Sequence, residues 1–471
     1  MFGKNPVGLR RSLMATLALV AVGGAEAAEA QVRAWITSGD QSRLMQPQPV
    51  AGWSAGGPGE VVTLDPGERR QTMVGFGASI TDASAYLIQT RLTPQARDAL
   101  LQELFGRGES GLGFSFTRVT VGASDFSLSH YTLADTPDPT LAGFSTAPME
   151  VHVFPTVRAA VAINPELKVM HSPWSAPGWM KTTDSLIQGQ LKPEFYPTYA
   201  DYWVRYLRAA GANGVPTDYL SIQNEPDFEP DSYPGMRWPP ADRAVFIGRH
   251  LGPALDQAGI ETRILDWDHN WDQPQQPLTV LADPVANPYV DGVAWHCYAG
   301  EVGAQSEVRE RFPNKDVYFT ECSGGQWAPA FSDSFSWTVR TLIIGSVRNW
   351  ARGVLMWNLA LDQAWGPHAG GCGDCRGVVT IDNGTGEITR NQEYYAFGHA
   401  SRFVLPGATR VESGEAPGVS SVGFVNPDGR RALLVFNDRE VAAALRVGEP
   451  GRLASVILPA KSAATYVWDA P

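Results

Sequence analysis

Two glutamates ninety-six residues apart carry the strongest chemical signal in this chain. They are Glu225, in Ser221-Ile222-Gln223-Asn224-Glu225-Pro226, and Glu321, in Tyr318-Phe319-Thr320-Glu321-Cys322-Ser323. Each segment reads as a short strand running into a loop with the glutamate at the turn. Two carboxyl groups about 5–5.5 Å apart, one acid and one nucleophile, are what cleavage of a glycosidic bond with retention needs. An isolated glutamate at a loop more often makes an ion pair, and there are 49 acidic residues here. The pair gains meaning only if the fold brings its members together.

The surrounding pattern supplies such a fold. From residue 71, strand-like and helix-like stretches alternate, which signals a parallel sheet with crossover helices. Eight strands are expected, at 72–77, 115–122, 168–172, 219–223, 262–266, 292–296, 316–320 and 353–357. Several are almost wholly apolar, as strands covered on both faces should be. Thr93-Pro94 starts a helix and Gly106 stops it, while a second helix from Tyr199 closes on Gly211. The class is therefore α/β, a (β/α)8 TIM barrel, whose C-terminal rim collects side chains from distant strands. The fourth and seventh strand ends would present Glu225 and Glu321.

After about residue 400 the pattern turns to short strands at 419–425, 431–436, 442–447, 453–458 and 463–468, the first two joined through Asn426-Pro427-Asp428-Gly429. Residues 31–62 hold strand-like pieces and no helix. A side β-sandwich built from both chain ends is expected. The divisions are a signal peptide over 1–30, N-terminal sandwich strands over 31–70, the barrel over 71–395 and the C-terminal sandwich over 396–471.

The leader rests on Lys4, Arg10 and Arg11, the apolar run 13–22, and the small-residue sites Ala25-Glu26-Ala27 and Ala28-Glu29-Ala30. The protein is expected to be exported, periplasmic or secreted, with no integral membrane segment once the leader is removed. Removing residues 1–27, with three basic groups and one acid, takes the net charge from −12 to −14, which argues against nucleic acid as a partner. Four cysteines suit an oxidising compartment. Cys372 and Cys375 fit a small loop disulfide, a redox pair or half a zinc site, and the glycines around them favour a clipped surface loop. Cys297 and Cys322 end consecutive strands, and their pairing stays open.

Nearly every strand end carries groups suited to sugar. They include Asp82 after the first, Asp125 after the second, Trp174 and Trp179 after the third, and Asp266, Asp268 and His269 on the fifth. His296 and Tyr298 end the sixth, and Trp357 ends the eighth. Eight of fifteen tryptophans cluster at these ends, where their faces can stack on the C–H faces of a sugar. Asp266-Trp267-Asp268-His269 lacks the oxygen-rich loop of a metal site, and no metal is expected.

The chain here resembles a known family. Gly75-Phe76-Gly77-Ala78-Ser79-Ile80-Thr81-Asp82, Ser124-Asp125-Phe126, Ser172-Pro173-Trp174-Ser175-Ala176-Pro177, Gln223-Asn224-Glu225-Pro226, Thr320-Glu321-Cys322 and Trp357-Asn358-Leu359-Ala360-Leu361-Asp362 are similar, in order, to motifs of glycoside hydrolase family 30, the glucosylceramidase-like group. The resemblance covers about residues 60 to 470. It implies a retaining β-glycosidase without a cofactor, with Glu225 as acid/base and Glu321 as nucleophile. It further implies that Asn224 holds the sugar 2-hydroxyl and that Asp82, Trp174 and Trp357 line the subsite of the transferred sugar. Asp125, His296 and Tyr298 complete the expected substrate-binding set. After the eighth strand, Asp362-Gln363-Ala364-Trp365-Gly366-Pro367-His368 departs from the family's Asp-x-x-Gly-Gly-Pro-Asn. The implied substrate is a β-linked glucoside of the glucosylceramide, simple glucoside or β-1,6-glucan type. The alternatives are a β-xylosidase or xylan-directed enzyme, or a carbohydrate-binding protein that lost its chemistry.

Overall fold

Eight parallel strands pair in chain order around a ring: Gly75–Ser79, Phe116–Thr120, Lys168–Ser172, Tyr219–Ser221, Arg263–Asn270, Val290–His296, Asp316–Glu321 and Ala351–Asn358. Backbone hydrogen bonds close the ring between first and second strands, from Ser115 N–H to Phe76 O (3.1 Å) and from Ile80 N–H to Arg118 O (2.9 Å). The computed structural model describes residues 1–3, 31–54, 56–108 and 110–470; most of the expected leader, residues 4–30, lies outside the described residues. All eight expected strands are present. The first begins at Gly75 rather than residue 72, because a sandwich strand, Glu60–Thr72, ends there.

The two-residue period of a strand sorts the barrel interior into layers. Phe116, Met170, Tyr219 and Tyr318 fill an apolar lower layer. Two residues further along the same strands, Arg118, Ser172, Ser221 and Thr320 form a buried polar layer directly above. The floor is thus a packed hydrophobic plug, and the polar chemistry is confined to the C-terminal half.

Of the two helices read from their end signals, one keeps its expected bounds and the other does not. Thr93 caps Pro94–Phe105 by accepting from Ala96 N–H at 3.2 Å, worth about 1 kcal/mol. The helix expected to stop at Gly211 runs on as Tyr196–Ala212. The residue that breaks it is Gly214, whose φ of +72° suits glycine and whose N–H reaches Gly211 O at 2.9 Å.

The side domain draws strands from both chain ends. Val32–Ser38 pairs with Ser462–Trp468, and Glu60–Thr72 pairs with both Thr409–Ser413 and Ala443–Glu449. Its core packs Leu64, Leu433, Leu445 and Trp468. Helix Gln392–Ser401, which straddles residue 396, ties the two units together. Its buried His399 bonds Thr465 (3.0 Å) and Thr37 (2.9 Å), and burial pushes its pKa down to about 3, so it joins both termini as a neutral ring.

Candidate active site

The C-terminal rim is built around a distorted fifth strand. Register shifts between the fifth and sixth strands, and Trp267 and Asp268 take φ of +78° and +50°, a left-handed conformation costly above all for the bulky tryptophan. The distortion turns the Asp268 carboxylate into the barrel. One oxygen accepts from Arg118 Nη2 (2.6 Å), Ser172 Oγ (2.5 Å) and Ser221 Oγ (2.5 Å). The other meets His296 Nε2 (3.0 Å) and accepts from Thr320 Oγ1 (2.8 Å). One aspartate therefore fixes side chains from five other strands. Glu225 is strained as well, with φ of +48°, and its N–H donates to Asp268 O at 3.1 Å.

From this hub the contacts reach the two glutamates. Arg118 pairs with Glu321 through Nη1 and donates from Nη2 to Asn224 Oδ1 at 2.7 Å. Tyr298 Oη donates to Glu321 Oε1 at 3.0 Å. Glu225 Oε1 lies 3.0 Å from His296 Nδ1 and 3.4 Å from His269 Nδ1. His296 Nδ1 is also 3.9 Å from Glu321 Oε1, so both glutamates stand around a single ring nitrogen. Trp174 and Trp357 stack at 4.9 Å, and the Arg118 guanidinium lies 4.8 and 5.4 Å from their rings.

Charge is unevenly shared across this cluster. Burial alone would lower His296, but the carboxylates of Glu321, Asp268 and Glu225 push it up to about 9. Burial would raise Glu225, yet His269 and His296 hold it below the ordinary carboxylate range. Its hydrogen bond with His296 thus keeps one proton on the ring side. Burial pushes Glu321 upward, opposed by His296 and Arg118. Asp125 rises well above its usual value through burial and the nearby Glu321 charge, and its buried Oδ1 has no hydrogen-bond partner among the described residues. Asp82 is pushed up to about 6 by burial against the hydrogen bonds of Ser127 and Tyr131.

Glu225, Glu321, Asp125 and His269 face a cavity of about 810 Å³. Of the residues expected from the sequence, Asp125, Trp174, Asn224, Glu225, Tyr298, Glu321 and Trp357 line it. Asp82 and His296 do not. Asp82 is bound to Tyr131 at 2.9 Å, and His296 is fully buried behind Glu225, placed to act through that carboxyl rather than on a sugar. Trp179 is turned away, donating to Ala134 O at 2.8 Å. The expected run Asp266 to His269 divides, with Asp266 paired to Arg243 at 2.9 Å and His269 facing Glu225. Glu225, His269 and His296 hold ligand-capable atoms within 4.8 Å of one another; His296 is hydrogen-bonded to Glu225, and His269 Nδ1 lies 3.4 Å from the same Glu225 oxygen.

Both disulfides form, Cys297–Cys322 and Cys372–Cys375. The second is part of the cavity wall rather than a clip standing off the surface. Its loop folds back so that Ala369 N–H reaches Asp125 O at 2.8 Å, and Gly371 touches Asp125 so closely that a Cβ would lie 2.5 Å from its Cβ. Sequence reasoning missed Arg118. The available signal was a lone arginine within the strand Phe-Thr-Arg-Val-Thr, since a fully buried guanidinium must have carboxylates beside it.

Comparison with known proteins places this arrangement. Residues 73–404 match the glycosyl hydrolase family 30 TIM-barrel domain, and residues 407–466 match the family 30 beta sandwich domain. An endo-1,6-beta-D-glucanase of Aspergillus fumigatus is 35% identical over 432 residues, 84% of this chain and 85% of that one. The lysosomal acid glucosylceramidase of Mus musculus is 29% identical over 446 residues, 88% of this chain and 84% of its own. The solved structure of an endo-beta1,6-glucanase superposes with a TM-score of 0.88 at 33% identity, covering 94% of this chain and all of its own.

Proposed function

The chain belongs to glycosyl hydrolase family 30 and is a glycosidase, and from that premise we propose that it hydrolyses β-1,6-linked glucan with retention of configuration, by double displacement through Glu321 and Glu225. The observation that carries the mechanism is the placement of both glutamates around one nitrogen, 3.0 and 3.9 Å from His296 Nδ1. This closeness favours the about 5–5.5 Å carboxyl separation of retaining enzymes over the wider spacing that admits a water between the two.

In the first step a Glu321 oxygen attacks the anomeric carbon while Glu225 gives a proton to the departing glycosidic oxygen. Arg118 and Tyr298 favour the ionised nucleophile by donating to it. The proton for the leaving group is the one held between Glu225 and His296. With Nε2 anchored on Asp268, His296 either donates from Nδ1 to Glu225 or, as the neutral ring, accepts from the Glu225 carboxyl. In the second step Glu225 takes a proton from water, the resulting nucleophile attacks the same carbon, and Glu321 leaves. Asn224 Oδ1 is committed to Arg118, which leaves its amide N–H groups for the sugar 2-hydroxyl. Trp174 and Trp357 form the wall of the transferred sugar's subsite, with Asp125 at its edge and Asp82 behind.

The glucan preference is supported by the endo-1,6-beta-D-glucanase likeness at 35% identity. Export is supported by the leader-like start and by two disulfides, which suit an oxidising compartment. The test is hydrolysis of β-1,6-glucan, glucosylceramide, an aryl β-glucoside and an aryl β-xyloside side by side, with Glu321→Gln as blank. Internal cutting of the glucan, lost in the blank, is the expected result. Preference for glucosylceramide or for the xyloside would reassign the substrate.

A further inference from the structure

Beside the catalytic cavity lies a second one of about 490 Å³, between the loops that follow the sixth and seventh barrel strands. Tyr298, Ser323 and Trp327 line both cavities, so the two adjoin along that edge. Its inner wall includes the Cys297–Cys322 disulfide, which ties the residue after His296 to the residue after Glu321. None of Asp125, Trp174 and Trp357, the walls of the transferred sugar, reaches it. The side cavity therefore opens away from those walls and lies outside the subsite of the transferred sugar.

Its chemistry points to a sugar ring. Trp327 is 57% exposed and Tyr298 46%, and Trp337 lines the cavity between them and the core. Aromatic faces left to water at the lip of a cavity bind by stacking on apolar C–H faces. The exposed Asp333 carboxylate and the hydroxyls of Ser323 and Thr338 line the same space. A hydrocarbon chain would have to desolvate that carboxylate, whereas sugar hydroxyls can bond it. Gly325 keeps the lip in place, because a Cβ there would lie 1.9 Å from the Trp327 ring; only glycine lets the indole fold against its own loop. A 1,6-link also carries one more rotatable bond than other glucosidic links, so the next ring can turn aside from the main groove.

We propose that this side cavity is a leaving-group subsite that holds a glucosyl unit of the departing β-1,6-glucan chain by stacking on Trp327. The inference rests on the glucanase reading given above and adds where the departing chain is held. Trp327 and Asp333 are exposed, so Trp327→Ala and Asp333→Ala leave the packed core untouched. The experiment measures kcat/KM of wild type and both variants on β-1,6-linked gluco-oligosaccharides of two to five units, on an aryl β-glucoside and on glucosylceramide. Trp327→Ala is expected to lose about tenfold more on the longest oligosaccharide than on the aryl glucoside, as removal of a stacking ring should, with a smaller selective loss in Asp333→Ala. Equal losses on the two substrates, or an unaltered length preference, overturn the inference and leave the glucanase reading standing. A selective loss on glucosylceramide alone overturns it too, by making the cavity a site for a lipid chain. A wild type idle on every β-1,6-linked substrate overturns the glucanase reading itself.

Discussion

The two mouths of the barrel hold cavities of similar size and opposite character. The one at the N-terminal end, about 990 Å³, is the larger, bordered by Lys168, Asp218, Arg263 and Arg352. Its charges are partly exposed and paired locally, as in the 2.8 Å contact of Lys168 with Asp218, and its floor is the apolar plug. Around the C-terminal one, about 810 Å³, stand carboxylates that are buried, strained or short of partners: Asp268 beneath it at φ +50°, Glu225 at φ +48°, and Asp125 with an oxygen unpartnered among the described residues. Volume does not distinguish them. What does is that one end carries free energy stored as desolvation and backbone strain, held by a network that spans the strands.

Substitutions should separate the two ends by several orders of magnitude. The largest effect is expected at Glu321. Glu321→Gln should lower kcat by about 10⁴-fold or more on an aryl β-glucoside, with folding preserved by circular dichroism. Next comes Asp268→Asn, which keeps the shape but removes the charge that Arg118 faces. Leaving a buried guanidinium short of one partner should cost about 3–5 kcal/mol in denaturant unfolding. It should also lower kcat by about a hundredfold, because Arg118 and His296 lose their common anchor. An Asp268→Asn protein as stable as wild type would mean that the hub is not what holds the rim together.

How far the sequence could be read also differs between the ends. The place of Glu225 and Glu321 at the rim was legible because each sits in a strand-to-loop motif, and the eight strands because buried strands are apolar. Arg118 and the anchoring role of Asp268 were not. Their meaning lies in contacts across strands that are 150 residues apart in the chain, as Arg118 and Asp268 are. The left-handed turn at Trp267 and Asp268 has little local signal either, since aspartate tolerates that conformation but a bulky tryptophan does not favour it. The disulfide Cys372–Cys375 was legible as a clip, but its place in the cavity wall depends on Gly371 meeting Asp125.

Smaller effects refine the contrast. Trp357→Ala removes one face of the stacked pair and should reduce kcat/KM by about ten- to a hundredfold on short substrates. The pH profile of stability should reflect the rim as well. His296 is raised from 6.5 to about 9, so its contribution is fully present below about pH 6.5 and is lost as pH rises through 9. Thermal unfolding should show Tm falling across that window in wild type and a flatter course in His296→Gln. At the other mouth, Lys168→Ala breaks a half-exposed pair. It should change stability by about 0.2–1 kcal/mol and leave kcat/KM within about twofold. A tenfold activity loss there would erase the distinction between the ends.

The most direct measurement is to trap the intermediate. The protein is incubated with an activated 2-deoxy-2-fluoro-β-glucoside, digested, and mapped by mass spectrometry. A covalent fluoroglucosyl group on Glu321, absent from Glu321→Gln, is the predicted result. A label on Glu225 or elsewhere, or NMR detection of an inverted first-formed anomer from the unmodified aryl glucoside, would contradict double displacement through Glu321.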